Sequence, residues 1–292
     1  MTTFNAFWFG KPFNAFHWAC IRSFTTRDHD YRLYVYDAME VPDGFTLMDA
    51  KEILPRKELF AIKNPVTGSP DVGPFSDLFR YKLLLDRGGW YVDVDTICLA
   101  DAYPDQIRAW AHENEKVEGK IIVNAAQICL PKGDPLAREL YQRCLAIGRQ
   151  SELREDWGPN LLTRVIAELR LSPALFGTNA SFYPIDWIGA VSLALPAHRG
   201  DVERKLRGAL FASAYQSFFQ YCGIDLARLP PAGSYLRWLY DTLAANRTTT
   251  GEYETAEVLN CVRAYLDRNP YWAPEQLIRS LGEGSRDIIV RA

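Results

Sequence analysis

The chain has 292 residues, 48% hydrophobic and 24% charged, with a formal charge of -3. That is globular composition with enough chain to bury the core of one large or two modest domains. The slight acidic excess excludes a broad nucleic-acid surface, which needs clustered Lys and Arg. No run approaches the ~20 apolar residues of a membrane span, and Met1-Thr2-Thr3-Phe4-Asn5 lacks a basic leader region. The expectation is a cytoplasmic protein without a transmembrane segment, compatible with peripheral membrane association.

In chain order, an aromatic strand is expected over 4–9, a helix over 13–25 and a strand over 32–36 ending at Asp37. A loop with a short helix near 50–53 follows. The Pro- and Gly-rich stretch Asn64-Pro65-Val66-Thr67-Gly68-Ser69-Pro70-Asp71-Val72-Gly73-Pro74 reads as a loop leading into a helix over 74–87. Strands are expected at 90–93 and 96–99, helical segments near 105–113, a strand at 121–129 and helices at 134–149 and 159–169. Strands alternating with helices indicate an α/β protein with a sheet layer. After about Arg247 the texture changes. A linker at 248–251 precedes helices over 253–266 and 274–281, the second opening on a proline suited to a first helical turn. The expected organisation is a main domain over 1–247 and a helical C-terminal extension over 248–292.

Six cysteines, Cys20, Cys98, Cys129, Cys144, Cys222 and Cys261, lie scattered in apolar surroundings without a Cys-x-x-Cys pair. They read as buried thiols of a protein from a reducing compartment. His17, His29, His112 and His198 are too dispersed for a His-based zinc site.

The chemistry concentrates in 75–99. Gly88-Gly89 breaks the helical pattern, and Trp90-Tyr91-Val92 then runs as a strand into Asp93-Val94-Asp95. In extended chain Asp93 and Asp95 face the same way. Two carboxylates at the end of an apolar strand repel one another, a cost that a cation between them removes. Oxygen ligands of this kind suit Mn²⁺ or Mg²⁺, which take one or two protein carboxylates and complete their shell with water and phosphate oxygens. On the preceding helix, Ser76, Asp77 and Arg80 share one face beside an apolar stripe of Phe75, Leu78, Phe79, Leu83 and Leu84. Arg80 offers a planar fork suited to phosphate oxygens, though an Asp77–Arg80 surface pair is the plainer alternative.

Together, Ser76, Asp77, Arg80, Leu84, Gly88, Gly89, Tyr91, Asp93 and Asp95 reproduce the pattern S-D-x-x-R-x-x-x-L, a spacer, G-G-x-Y-x-D-x-D. This resembles the D-x-D glycosyltransferases with the GT-A fold. Within these it is most similar to the group of α-1,4-galactosyltransferases, initiating yeast mannosyltransferases and capsular polysaccharide transferases, and more distantly to the clostridial glucosylating toxins. The likeness extends over about 4–240. It includes the first strand with Trp8, the second ending at Asp37, and Asn124 followed by Pro131-Lys132-Gly133-Asp134-Pro135. Trp157-Gly158-Pro159 and Pro230-Pro231-Ala232-Gly233-Ser234 also match.

The resemblance implies a nucleotide-sugar-binding mixed sheet flanked by helices. It implies a metal-dependent, retaining hexosyltransferase that moves a hexose from a nucleoside-diphosphate sugar, most simply a UDP-sugar, to an acceptor hydroxyl on a glycan or other molecule, as in polysaccharide biosynthesis. Metal binding falls to Asp93 and Asp95 with Mn²⁺ or Mg²⁺. Catalysis falls to Asp77, Arg80, Asp93, Asp95 and Asn124. Nucleotide-sugar binding falls to Trp8, Ser76, Asp77, Arg80, Tyr91 and Asn124. Trp8 would stack on the base, and Trp90, Trp157 and Trp187 are candidates to stack on sugar.

One departure stands out. Where relatives read like H-L-W-N-E-M-W-R, this chain has Ser213-Ala214-Tyr215-Gln216-Ser217-Phe218-Phe219-Gln220, with neither His nor carboxylate. Hydroxyls and amides bring no charge to a cation, so the alternative is a catalytically impaired homologue that binds nucleotide, glycan or a partner. A hydrolase is the weaker rival, because carboxylates two residues apart on one strand sit too close to flank a glycosidic bond with about 5 Å or more between them.

Overall fold

The structure is a computed structural model that describes residues 1–10, 12–41, 43–64, 68–105, 107–117, 120–148, 157–172, 179–244 and 249–268. Its strands are β1 (Thr3–Phe7), β2 (Asp30–Val35), β3 (Phe45–Asp49), β4 (Ile62–Lys63), β5 (Pro70–Asp71), β6 (Gly89–Val92), β7 (Thr96–Cys98), β8 (Ala109–Val117), β9 (Lys120–Leu130) and β10 (Phe211–Ser213). The α-helices are α1 (Ala15–Thr25), α2 (Gly73–Arg87), α3 (Pro135–Ile147), α4 (Pro159–Glu168), α5 (Asn179–Phe182), α6 (Arg199–Leu206), α7 (Gln216–Tyr221), α8 (Tyr235–Leu243) and α9 (Thr255–Arg268).

Six strands form one mixed sheet in the order β3-β2-β1-β6-β9-β8. The four from β3 to β6 are parallel, while β9 runs antiparallel to β6 and β8 antiparallel to β9. Side chains alternate across the sheet, and both faces are apolar because both are covered. Phe4, Leu33, Trp90 and Val92 enter one buried cluster with α1, α8 and α9. Phe7, Tyr34, Tyr91 and Ile128 enter the other with α2, α3 and α4. The result is an α/β protein with a mixed sheet flanked by helices.

Two segments depart from the sequence reading. The helix expected near 105–113 is strand β8 from Ala109, and the loop before residue 50 contains strand β3. Ala109-Trp110-Ala111 is composed of good or neutral helix formers. It is extended because Trp110 inserts in one apolar cluster while Ala109 and Ala111 pack in the other, a period of two that helix propensity cannot oppose.

The helix expected over 253–266 forms as α9. Its Val258, Val262, Tyr265 and Leu266 join the cluster on the α1 side of the sheet. The helix expected over 274–281, residue 248 of the linker and 65–67 of the proline-rich loop lie outside the described residues. All six thiols are free, five of them buried. None of the described helices is long and apolar enough to cross a membrane.

Candidate active site

The carboxylates reach their places through a turn rather than a pleat. Strand β6 ends at Val92, and the Thr96 N–H donates to the Asp93 carbonyl across a tight turn at 3.0 Å. The expectation that Asp93 and Asp95 share a strand face is corrected accordingly, although both still face one cavity. The turn is held from two sides: the Asp93 N–H donates to Ala126 O of β9, and the Ala214 N–H donates to Asp95 O, each at 2.8 Å. Beneath it, the buried Gln127 amide donates to Thr96 Oγ1 and Ser213 Oγ, joining β9, β7 and β10.

Gly88 and Gly89 connect α2 to β6, both with positive φ (70° and 83°). A β-carbon on Gly88 would stand 2.4 Å from the Lys132 backbone nitrogen, so glycine is required where the helix ends.

The cavity beside this turn measures about 750 Å³. Trp8, Ser76, Asp77, Arg80, Asp93, Asp95 and Asn124 all line it. Tyr91 does not. It lies beneath the wall, 1% exposed, with its hydroxyl 3.3 Å from Ser76 Oγ and the Arg80 guanidinium carbon 4.7 Å from its ring centre. Its contact with any ligand is therefore indirect, through Ser76 and Arg80. Trp187 lines the cavity, whereas Trp90 and Trp157 are buried in the two clusters. Asp37 pairs with Arg56 elsewhere on the surface.

Arg80 is not half of a surface pair. Its side chain is 6% exposed, with Nη1 2.9 Å from Asp77 Oδ1 and Nη2 2.6 Å from Asp93 Oδ1. Burial alone would strip its proton more easily, but the Asp93 and Asp77 carboxylates outweigh that and hold the charge. The fork expected to meet phosphate is engaged by two protein carboxylates, so it fixes the aspartates of helix and turn relative to each other. Asp77 also touches the start of α4, where a β-carbon on Gly158 would come within 2.9 Å of Asp77 Oδ2.

Asp95 is held differently. Its Oδ2 accepts the Gln216 backbone N–H at 2.9 Å. Burial, and then the neighbouring Asp93 charge, push its pKa up to about 6 despite that hydrogen bond. This donor set fits a hard divalent cation, which would relieve the crowding that raises Asp95. Ser213, Ser217 and Gln220 bring neutral oxygens to the same cavity. Among the described residues no group of three His, Cys, Asp or Glu side chains converges.

Three further features bear on the cavity. The β4–β5 hairpin brings Asn64, Ser69 and Asp71 to the cavity, and Trp187 donates through Nε1 to Ser217 Oγ at 3.1 Å. The third is His17. It is buried, 4.8 Å from Trp8 between ring centres, with its Nε2 3.2 Å from Gln216 Oε1. Burial lowers its pKa to about 4, so the ring is neutral. Only its place at the third position of α1 after Asn14, as in a capping box, distinguished it in the sequence.

Residues 18–114 match the family model of the glycosyltransferase sugar-binding region containing the DXD motif. That span includes α2, the glycine turn, Asp93 and Asp95. Among solved structures, the chain is similar to the PaToxG glycosyltransferase, at 12% identity and a TM-score of 0.43, with 57% of this chain and 69% of that one covered. No curated protein matches the chain. The sugar-binding-region match and the carboxylate site it contains support a glycosyltransferase.

Proposed function

We propose that this protein transfers a hexose from a nucleoside-diphosphate sugar, most simply a UDP-sugar, to an acceptor hydroxyl on a glycan or other molecule, with a divalent cation and with retention of configuration. The observation that carries this reading is the arrangement of Asp77, Arg80 and Asp93 as one buried ion-pair group beside Asp95 in a cavity of about 750 Å³. Such a group is expensive to bury, and this one lines an open cavity rather than sealing a core.

In this reading Asp93 and Asp95 hold Mn²⁺ or Mg²⁺, which when bound supplies positive charge against the departing diphosphate. Arg80 keeps Asp77 and Asp93 in register and adds its own charge beside them. Asp77 and Asn124 receive sugar hydroxyls, Ser76 and Trp8 the nucleoside. Asn124 is partly pre-set, since its Oδ1 accepts the Ala126 N–H at 2.8 Å. In this reading residues 1–247 form the transferase domain and 248–292 a helical extension, whose α9 packs on the main cluster.

The test is a panel of nucleotide sugars scored by thermal stabilisation with and without Mn²⁺, followed by assay of donor hydrolysis and transfer. The reading requires stabilisation by one donor, enhanced by Mn²⁺, and turnover lost in Asp95→Asn. The neutral stretch 213–220 favours a second reading, a binding protein derived from a transferase. Metal-dependent donor binding without hydrolysis or transfer would select it.

A further inference from the structure

We infer that His17 is a positioning residue that fixes Gln216 as a hydrogen-bond donor toward the diphosphate of the ligand, and so removes Gln216 from the metal ligands. The inference rests on the nucleotide-sugar reading of the cavity.

Protons along one chain of contacts set the orientation of the amide. The Asn14 backbone N–H lies 3.3 Å from His17 Nδ1, and a backbone N–H can only donate, so Nδ1 accepts. A neutral imidazole carries one proton, which must then sit on Nε2. Nε2 in turn faces the Gln216 side-chain amide at 3.2 Å. The amide atom that meets an N–H must be the oxygen, whichever way the group might otherwise be turned.

His17 engages one lone pair of the Gln216 oxygen and so orients the amide, leaving its NH₂ as the group without a partner among the described residues at the cavity that Gln216 lines. An amide binds a cation through oxygen and an anion through NH₂. Gln216 is placed for the anion, and its backbone N–H, on Asp95 Oδ2 at 2.9 Å, sets it next to the carboxylates where a diphosphate would lie. His17 is itself anchored, because the Asn14 side chain accepts the His17 backbone N–H at 3.3 Å, fixing the first turn of α1. The neutral segment 213–220 thus contributes hydrogen-bond donation where a relative could place a ligand charge.

Two measurements test this. ¹⁵N spectra of the ligand-free protein, with His17 assigned by mutation, should show the Nε2-protonated tautomer; the Nδ1-protonated form overturns the inference without reference to function. Calorimetry then compares UDP with Mn²⁺, uridine, and Mn²⁺ alone. Gln216→Met should weaken UDP binding about tenfold, the scale of one hydrogen bond to a charged group, while uridine and Mn²⁺ alone bind as to the wild type. His17→Leu should weaken UDP binding in the wild-type background and have no further effect in Gln216→Met. His17→Gln, which keeps a donor near the Nε2 position, should restore part of the affinity.

Loss of Mn²⁺ binding in Gln216→Met without nucleotide makes Gln216 a ligand and overturns the inference. So do additive losses from the two substitutions, which make His17 merely structural. A wild-type protein that shows the expected tautomer but binds no nucleoside diphosphate overturns the transferase reading, and this inference falls with it.

Discussion

Arg80 Nη2 lies 2.6 Å from Asp93 Oδ1 while Nη1 of the same guanidinium holds Asp77 Oδ1 at 2.9 Å, so one planar fork ties helix α2 to the turn after β6. Lysine keeps the charge but has a single head that cannot serve both carboxylates in that plane. Arg80→Lys should lower turnover roughly ten- to a hundredfold, about 1.4 to 3 kcal/mol of barrier. It should also destabilise the fold by about 3 kcal/mol, the cost of leaving one member of a buried ionic group unpaired. Turnover and denaturant melts on the same preparation check both. Unaltered turnover with a lowered melting temperature would confine Arg80 to the fold.

Gly158 supports Asp77 through space rather than charge. A β-carbon there would press to 2.9 Å on Asp77 Oδ2, and the carboxylate cannot yield without disturbing its bond to Arg80. Gly158→Ala should therefore reduce transfer about tenfold, or ~1.4 kcal/mol, mainly through donor binding if Asp77 receives sugar hydroxyls. Steady-state kinetics against donor concentration give the partition, and wild-type kinetics would show that Asp77 has room to move.

Much of this site was legible in the sequence because its residues sit close together along the chain. Ser76, Asp77 and Arg80 are set by helical spacing, and Gly88-Gly89 announces the turn before Asp93. What spacing could not give was depth and direction. Tyr91 and Arg80 carry the same signal as their cavity-lining neighbours, yet one lies under the wall and the other is bound to two aspartates. Strand β8 was missed because Ala109-Trp110-Ala111 shows its period of two only once two apolar layers enclose it. His17 and Gln216 are 199 positions apart, a distance no local pattern spans.

Trp8 is half-buried on the cavity wall, against Phe13 at 5.0 Å and His17 at 4.8 Å between ring centres. If a base stacks on it, Trp8→Ala should weaken UDP binding by about 1 to 3 kcal/mol, and UDP should perturb a tryptophan emission that the variant lacks. Normal UDP binding by a less stable variant would assign Trp8 to packing alone.

The last prediction follows from the pKa of Asp95, raised to about 6 chiefly by burial and secondarily by Asp93. An unfolded Asp titrates near ~3.9. Between the two values the folded chain holds the proton more tightly than the unfolded chain does, so this group makes the metal-free protein less stable as pH rises from about 4 to about 6. The raised pKa is thus a cost carried above pH 6, where Asp95 is ionised beside Asp93. A divalent cation competes with that proton. Binding of Mn²⁺ in the presence of UDP should hold steady above pH 7 and weaken as pH falls through about 6. Asp95→Asn, which has no proton to lose, should bind weakly and lack the inflection. Calorimetric titrations at pH 5.0, 6.0 and 7.5, each about a unit or more apart across the raised pKa, would reveal it. An affinity flat across that range in the wild type would mean that Asp95 does not hold the cation.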